Sequence, residues 1–281
     1  MIYVKRDPNL IPEKLIKVAE RAQEQLEALP PNERIAFIKK KSHIWRSFKR
    51  HLHAMSYGKC WYSEVMGPHS HYHVDHFRPK AEAQRSETDK DDGYTWLAFD
   101  WDNFRYSSER SNSLSTDEDT GEIVGKSSWF PLVEGSAVAC WDNRCTNIEN
   151  PILLDPTKQS DVALIDIGSD GRVKPATLCT DVGKMRVKAS TRYYGLNLPD
   201  TLAARRQIMI DLGDEVDKVL SLIADAEGAE RPGDPVQVER HRKTLTAWTM
   251  PNRAFTLAAR AKLIELGLAE ILAGPEDFAA I

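Results

Sequence analysis

The pattern of apolar residues predicts helices at both ends of the chain. Apolar side chains recur at helical spacing over residues 12–28 and 33–55, and the second segment has Ile44, Phe48, Leu52 and Met55 on one face. The Leu-Pro-Pro sequence at 29–31 separates the two helices. Helical spacing returns after residue 180 and predicts helices over 181–194, from 199 onward, over 237–249 and over 253–273, with a linker at 226–236.

The middle of the chain predicts short strands and loops. One strand is expected to end near Asp75 and His76, where Pro79 stops regular pairing, and a second to span 103–108 before a helix at 108–112. An Asp-Gly turn at 170–171 predicts a hairpin after residues 162–167. The other expected segments are a short helix at 94–99, a buried strand and turn at 150–157, and loops at 81–93 and 115–128.

These elements predict an α+β fold that is mostly helical. With 281 residues, of which 41% are apolar, the chain is long enough to bury a sizeable core. We expect an N-terminal helical section (1–56), a central part that contains the strands (57–178) and a helical C-terminal region (179–281).

The basic residues are concentrated near the N-terminus, although the net charge is −4. Residues 1–60 contain 13 Lys and Arg against 6 Asp and Glu, whereas the remaining residues contain 25 against 36. Such a section can attract a polyanion, and a solvated helix surface explains the same pattern equally well. The candidates for contact with nucleic acid are Lys39, Lys40, Arg46, Lys49 and Arg50.

The sequence predicts a cytoplasmic protein with no membrane partner. No apolar run reaches the roughly 18 residues that a membrane helix needs, and the first residues lack the apolar segment of a signal peptide. The four cysteines form no Cys-x-x-Cys pair.

Residues 71–80 hold the strongest candidate for chemistry, because Asp75 directly precedes His76 and is followed by Arg78 and Lys80. Carboxylate oxygens suit Mg²⁺ or Mn²⁺, and an imidazole can take a proton from water near neutral pH. Adjacent strand residues point to opposite sides, so we expect one to bind metal and the other to activate water. Arg78 and Lys80 can hold phosphate oxygens.

Several motifs in order resemble the HNH endonucleases of the PtuB type, the nuclease components of Septu and some retron anti-phage systems. They are Lys-Cys-Trp-Tyr-Ser-Glu at 59–64, Val-Asp-His-Phe-Arg-Pro-Lys at 74–80, Trp-Leu-Ala-Phe-Asp-Trp-Asp-Asn at 96–103, Arg-Tyr-Ser-Ser-Glu-Arg-Ser-Asn at 105–112, Phe-Pro-Leu at 130–132, Pro-Ile-Leu-Leu-Asp-Pro at 151–156, and Tyr-Gly-Leu-Asn at 194–197 followed by Arg205 and Arg206.

The resemblance implies a ββα-metal motif and a role for each matching residue. Asp75 and Asn112 would bind a single Mg²⁺ or Mn²⁺ ion, His76 would be the general base, and Asn103 would brace the loop that bears the base. It further implies DNA as the substrate, with RNA left open, and an ATPase subunit of a defence system as the partner.

The chain departs from this family where two Cys-x-x-Cys pairs often bind a structural zinc. The matching positions hold Cys60 and Ser63, then Ser108 and Ser111. A serine hydroxyl is a poor ligand for Zn²⁺, so we expect this zinc to be absent. The small hairpin or loop that is expected to begin at Cys60 would then be held by packing of aromatic residues, namely Trp61, Tyr62, Trp101 and Tyr106. These replacements also leave open an alternative, a catalytically inactive subunit that binds nucleic acid or docks a partner.

Nearby polar residues have weaker cases. His73 lies two residues before Asp75 and is therefore the best additional candidate for the site, ahead of His69 and His71. Glu149 and Asp155 flank an apolar run, and a turn-capping role is the expected one for Asp155 before Pro156.

Overall fold

The structure, a computed structural model, describes residues 1–67, 71–228, 235–274 and 277. It confirms an α+β fold in which helices predominate and the sheets are small and antiparallel. None of the helices in this part of the chain is long and apolar enough to cross a membrane.

The N-terminal section begins with helix α1 (Glu13–Glu27), as its apolar spacing predicts. The single helix predicted over 33–55 is wrong, because this segment forms three: α2 (Pro31–Lys40), α3 (His43–Arg46) and α4 (Lys49–Met55). Between them the backbone closes tighter turns, from Ser42 N–H to Lys39 O and from Phe48 N–H to Trp45 O. These bends keep the predicted apolar face buried while the basic side chains stay exposed.

The central part is organised around the antiparallel pair β1 (Tyr72–His76) and β4 (Phe104–Ser108), both close to their predicted positions. In this register Asp75 lies opposite Arg105 and His76 opposite Phe104. Helix α5 (Glu109–Asn112) follows β4 without a loop. Two strands and a short helix therefore meet at the candidate site that the sequence predicts.

Two segments predicted to be loops contain short hairpins. They are formed by β2 (Ala83–Gln84) with β3 (Lys90–Asp91), and by β5 (Ser115–Thr116) with β6 (Ile123–Val124). The strand predicted at 150–157 is reduced to one isolated bridge between Leu132 and Pro151. The Asp-Gly hairpin is confirmed as β7 (Ile165–Ile167) and β8 (Val173–Pro175).

The C-terminal region is helical, as predicted. Its elements follow the short α6 (Gln159–Val162) and are α7 (Asp181–Tyr193), α8 (Pro199–Gly228), α9 (Pro235–Trp248) and α10 (Thr256–Glu265). The predicted linker falls largely on residues 229–234, which lie outside the described residues.

The main hydrophobic core joins all three parts of the chain, for example through Phe48, Phe104 and Tyr194. A smaller cluster ties α8, α9 and α10 together. The expected aromatic support of the hairpin is confirmed: Trp61, Tyr62 and Tyr106 are buried, and Trp101 packs against the core. Tyr62 also stacks on Tyr194 at 3.9 Å between ring centroids. These aromatic contacts therefore stabilise the β1–β4 pair.

Candidate functional site

One cleft of about 520 Å³ collects four of the predicted site residues. It is lined by β1, the loop after it, the end of α5 and the segment after β6. The predicted residues along its wall are Asp75, His76, Lys80 and Asn112. Residues 37 positions apart in the sequence therefore share one surface, because β4 runs back along β1 and carries α5 with it.

His76 is held in the form of a neutral base. Its Nε2 lies 2.9 Å from the carbonyl oxygen of Ala98, which can only accept, so Nε2 carries the proton. Nδ1 is then unprotonated, and it has no hydrogen-bond partner among the described residues. Burial, together with the positive charges of Lys80 and Lys126, holds the pKa of His76 well below its usual 6.5. The imidazole is therefore neutral at neutral pH, with Nδ1 able to accept a proton.

The ring of His76 is fixed by aromatic neighbours on both sides. It packs edge to face on Trp45, with centroids 5.3 Å apart, and on Phe104 at 5.0 Å. Trp45 comes from α3 and Phe104 from β4, so the imidazole ring lies between the N-terminal helices and the strand pair.

Asn103 braces the chain after β1. Its Oδ1 accepts from the Arg78 N–H at 2.8 Å, and its Nδ2 donates to the Arg78 carbonyl at 2.9 Å. A longer contact of 3.4 Å joins Nδ2 to the Leu97 carbonyl, next to the Ala98 carbonyl that orients His76. The buried amide thus ties together both segments that fix the imidazole.

Both carboxylate oxygens of Asp75 have partners that the sequence did not suggest. The Lys126 ammonium lies 3.0 Å from Oδ1 and also donates to the His76 carbonyl at 2.7 Å. The Tyr62 hydroxyl donates to Oδ2 at 2.6 Å. Lys126 is fully buried, and burial lowers its pKa although Asp75 opposes that shift. The two side chains thus have different contacts, Asp75 with Lys126 and Tyr62 and the His76 ring with Ala98, Trp45 and Phe104, although both line the cleft.

Asn112, at the end of α5, contacts His73, the histidine that the sequence favours as an additional site residue. Its Nδ2 lies 3.2 Å from Nδ1 of His73, and both residues are partly exposed. This contact involves the amide nitrogen, so the amide oxygen remains available as a ligand for a hard cation. His71 is exposed, and His69 lies outside the described residues.

Lys80, on the cleft wall, lies against the N-terminal helices. The Lys80 ammonium lies 5.1 Å from the centre of the Trp45 ring. Burial lowers the pKa of Lys80, and although Asp75 raises it, the charges of Lys126 and Arg46 lower it further. Arg46 is exposed, as are the other N-terminal candidates, Lys39, Lys40, Lys49 and Arg50.

The structure does not bring Arg78 into the cleft. Its Nε lies 3.0 Å from Glu149 Oε2, and its Nη2 donates to the Thr146 carbonyl at 3.3 Å. Glu149 also accepts from the Tyr94 hydroxyl and from the Ala139 N–H. Arg78 and Glu149 therefore anchor a long loop to the strand pair.

The four positions that match the family's zinc ligands lie together in the interior. Cys60 Sγ lies 3.3 Å from the Ser108 N–H nitrogen and 3.9 Å from Ser111 Oγ. The Ser108 and Ser111 hydroxyls are 3.2 Å apart, and the Ser63 N–H nitrogen is 3.5 Å from the sulfur. Hydrogen bonds connect these groups, and all four residues are buried.

The cleft offers oxygen donors of the kind that Mg²⁺ and Mn²⁺ prefer. Asp75 contributes a carboxylate and Asn112 an amide oxygen on the same wall. Nowhere in the described residues do three or more His, Cys, Asp or Glu side chains gather as a metal site. A divalent ion here would thus depend on one carboxylate, one amide and further oxygens from water or substrate.

Sequence reasoning missed Lys126 and Tyr62, the two partners of Asp75. Lys126 lies 51 residues from Asp75, in a segment that its polar composition marked only as a loop. No spacing rule links it to the strand, whereas Tyr62 belonged to a motif already singled out for packing.

The chain matches no family model, and no curated protein is significantly similar to it.

Proposed function

We propose that this protein is a metal-dependent endonuclease of the HNH type that hydrolyses phosphodiester bonds of DNA. The observation that carries the proposal is the state of His76, a neutral imidazole with Nε2 fixed and the buried Nδ1 unpaired among the described residues, on the wall of a cleft that Asp75 also lines. Two antiparallel strands followed directly by a helix also match the ββα arrangement that the sequence motifs imply.

In the proposed reaction, His76 Nδ1 takes a proton from the water that attacks the phosphorus atom. Its lowered pKa keeps the ring unprotonated at neutral pH, which a general base requires. Asn103 keeps the base in place through the Arg78 backbone, and Lys80 is positioned to hold a phosphate oxygen at the mouth of the cleft.

Asp75 and Asn112 would hold the single Mg²⁺ or Mn²⁺ ion. A bound divalent ion supplies positive charge to the phosphate and to the leaving oxygen. The structural zinc of related nucleases is proposed to be absent here, since serines replace three of its four ligands.

The wider biological role rests on the sequence resemblance. We infer an anti-phage effector that works in the cytoplasm with an ATPase subunit. The exposed basic residues on α2, α3 and α4 support contact with a DNA backbone. Arg46 directly follows Trp45, whose ring lies 5.1 Å from the Lys80 ammonium on the cleft wall.

Nicking of supercoiled plasmid by the full-length protein, with its partner and with Mg²⁺ or Mn²⁺, tests the proposal. We expect His76→Ala to lose at least about a hundredfold in rate, in line with removal of a general base. His71→Ala is the matched control, since His71 is exposed and outside the cleft lining, and it should nick like the wild type. Equal rates for both variants would refute the proposed base, and cleavage of RNA alone would change the substrate.

A second function, a non-catalytic subunit that binds nucleic acid or docks a partner, is favoured by the pairing of Asp75 with Lys126. It predicts DNA binding without nicking at any Mn²⁺ concentration, and cell protection that survives His76→Ala.

A further inference from the structure

We propose that Lys126 is the built-in counter-cation of Asp75, and that it keeps divalent metal binding weak until a substrate phosphate enters the cleft. This inference rests on the proposed function, because it concerns the metal that the nuclease would use. Its structural basis is the ion pair between Lys126 Nζ and Asp75 Oδ1 at 3.0 Å. The side chain of Lys126 is 0% exposed and that of Asp75 is 5% exposed, so water screens this pair poorly.

The position of Lys126 is determined by its backbone. Gly125 has φ +100°, and a Cβ atom there would lie 2.0 Å from the Ser113 carbonyl oxygen, so the chain can pass this close only with glycine. The next two residues are tied to α5, from Lys126 N–H to Ser111 O at 3.1 Å and from Ser127 N–H to Asn112 O at 2.7 Å. The ammonium is therefore held at Asp75 by the fold.

The other carboxylate on the cleft wall also has a cationic partner. Glu82 lies 2.7 Å from the Lys90 ammonium, and Lys80 adds a further positive charge to the lining. Among the described residues of the lining, both carboxylates, Asp75 and Glu82, therefore have a positively charged partner. Mg²⁺ sites commonly combine one or two carboxylates with substrate phosphates, and here the phosphate would supply the missing negative charge.

Lys126 has two opposite effects on a metal ligand, and charge is the larger one. It helps to orient Asp75, which favours metal binding, but it also repels a dication across a short, poorly screened distance. Without the ammonium, Tyr62 still donates to Oδ2 at 2.6 Å and β1 still fixes the backbone. Loss of the charge should therefore strengthen metal binding.

The experiment is a Mn²⁺ titration of the full-length protein, followed by electron paramagnetic resonance. Lys126→Met, which keeps the length of the side chain without its charge, should bind Mn²⁺ at least about tenfold more tightly than the wild type. Lys126→Gln, which keeps a hydrogen-bond donor and improves the prospects of folding, should shift in the same direction.

Three controls separate charge from structure. Lys59→Met removes another buried ammonium, one that faces Glu64 and Thr256 away from the cleft, and should leave Mn²⁺ affinity unchanged. Tyr62→Phe removes an orienting hydrogen bond without a charge and should not strengthen binding. The double change Asp75→Asn with Lys126→Met should abolish the gain.

The wild type offers a test that needs no variant. Its Mn²⁺ affinity, weak in isolation, should rise when a phosphodiester oligonucleotide is added. Tight binding without the oligonucleotide, or folded Lys126 variants that bind Mn²⁺ no better than the wild type, would overturn the inference. If either of these results were found and the protein still nicked plasmid, the inference about Lys126 would fail and the nuclease proposal would stand. If the Mn²⁺ affinities were as expected but no nicking occurred, only the nuclease proposal would be refuted.

Discussion

At the scale of single residues, the strand opposite Asp75 is anchored by a buried ion pair. Arg105 meets Asp155 through two contacts, Nε to Oδ1 at 2.9 Å and Nη2 to Oδ2 at 2.7 Å. Asp155 also accepts from the Thr157 N–H and hydroxyl, which confirms the expected turn-capping role. One carboxylate therefore closes the turn at Pro156 and holds β4 in place.

We predict that Asp155→Asn destabilises the protein in a pH-dependent way. Burial alone would raise the pKa of Asp155, but Arg105 and Thr157 lower it to about 2. A depressed pKa in the folded state means that the stabilisation is present above about pH 4, the ordinary pKa of an aspartate, and is lost as the pH falls towards 2. Urea unfolding near pH 7 should show a destabilisation of roughly 3–5 kcal/mol, the usual effect of breaking a buried pair.

Asp181→Asn is the control for that measurement. Asp181 also pairs with a cationic side chain, that of Lys184. The Asp181 side chain is 98% exposed, however, so the change should have a small effect at every pH. If the stability difference between Asp155→Asn and the wild type stayed constant from about pH 7 to about pH 2, the pair would not be the source of the effect.

At the scale of elements, the turn around Cys60 and the start of α5 bring together the four positions that match the zinc ligands of the family that the sequence resembles. Tetrahedral zinc with Zn–S bonds of about 2.3 Å places its sulfurs about 3.8 Å apart. The contact between Cys60 Sγ and Ser111 Oγ is 3.9 Å, and the Ser108 and Ser111 hydroxyls are 3.2 Å apart. These distances suit thiolates at positions 60, 108 and 111 after small adjustments, and Ser63 joins the cluster through its N–H, whose nitrogen is 3.5 Å from Cys60 Sγ.

The triple change of Ser63, Ser108 and Ser111 to Cys should therefore create a zinc site. We expect one equivalent of Zn²⁺ by elemental analysis and a higher melting temperature than that of the wild type, because metal that binds only the folded state stabilises it. The same triple variant with Cys60→Ser should lose most of both gains. A triple variant that folds and retains no zinc would show that the four positions no longer converge closely enough.

At the scale of the whole molecule, a negatively charged protein carries exposed basic residues on its N-terminal helices. The net charge is −4, yet the candidate basic residues of α2 to α4, Lys39, Lys40, Arg46, Lys49 and Arg50, are all exposed. Local charge of this kind governs the attraction of a polyanion more than the net charge does.

We predict that Lys39→Glu with Lys49→Glu weakens DNA binding, and that the dependence of affinity on salt becomes less steep. The slope of log affinity against log salt should fall by about one for each phosphate group that the protein no longer neutralises. Fluorescence anisotropy at several salt concentrations measures both quantities. Lys184→Glu with Lys243→Glu makes the same change in net charge at exposed sites on α7 and α9 and should have little effect. Equal weakening by both pairs would indicate a general charge effect.

Periodicity and short motifs predict much of the architecture. Residue spacing places β1, β4 and α5 nearly at their observed positions, and the motifs select Asp75, His76, Lys80 and Asn112, which share one cleft. This is possible because strand alternation and helical repeats are local, and because a strand that returns along its neighbour brings its helix back to the same edge. The division of 33–55 into three helices escapes prediction, since an apolar stripe does not reveal where the backbone turns.

The order of amino acids is enough to show which residue types can do chemistry and on which elements they lie. Their partners follow from the three-dimensional fold alone: Lys126 with Asp75, Glu149 with Arg78, and the Ala98 carbonyl with His76. These pairs are separated by 51, 71 and 22 residues, and the path of the chain between them depends on packing of the whole core. The state of the base and the charge beside the carboxylate are therefore consequences of the fold, because burial and neighbouring charges set both.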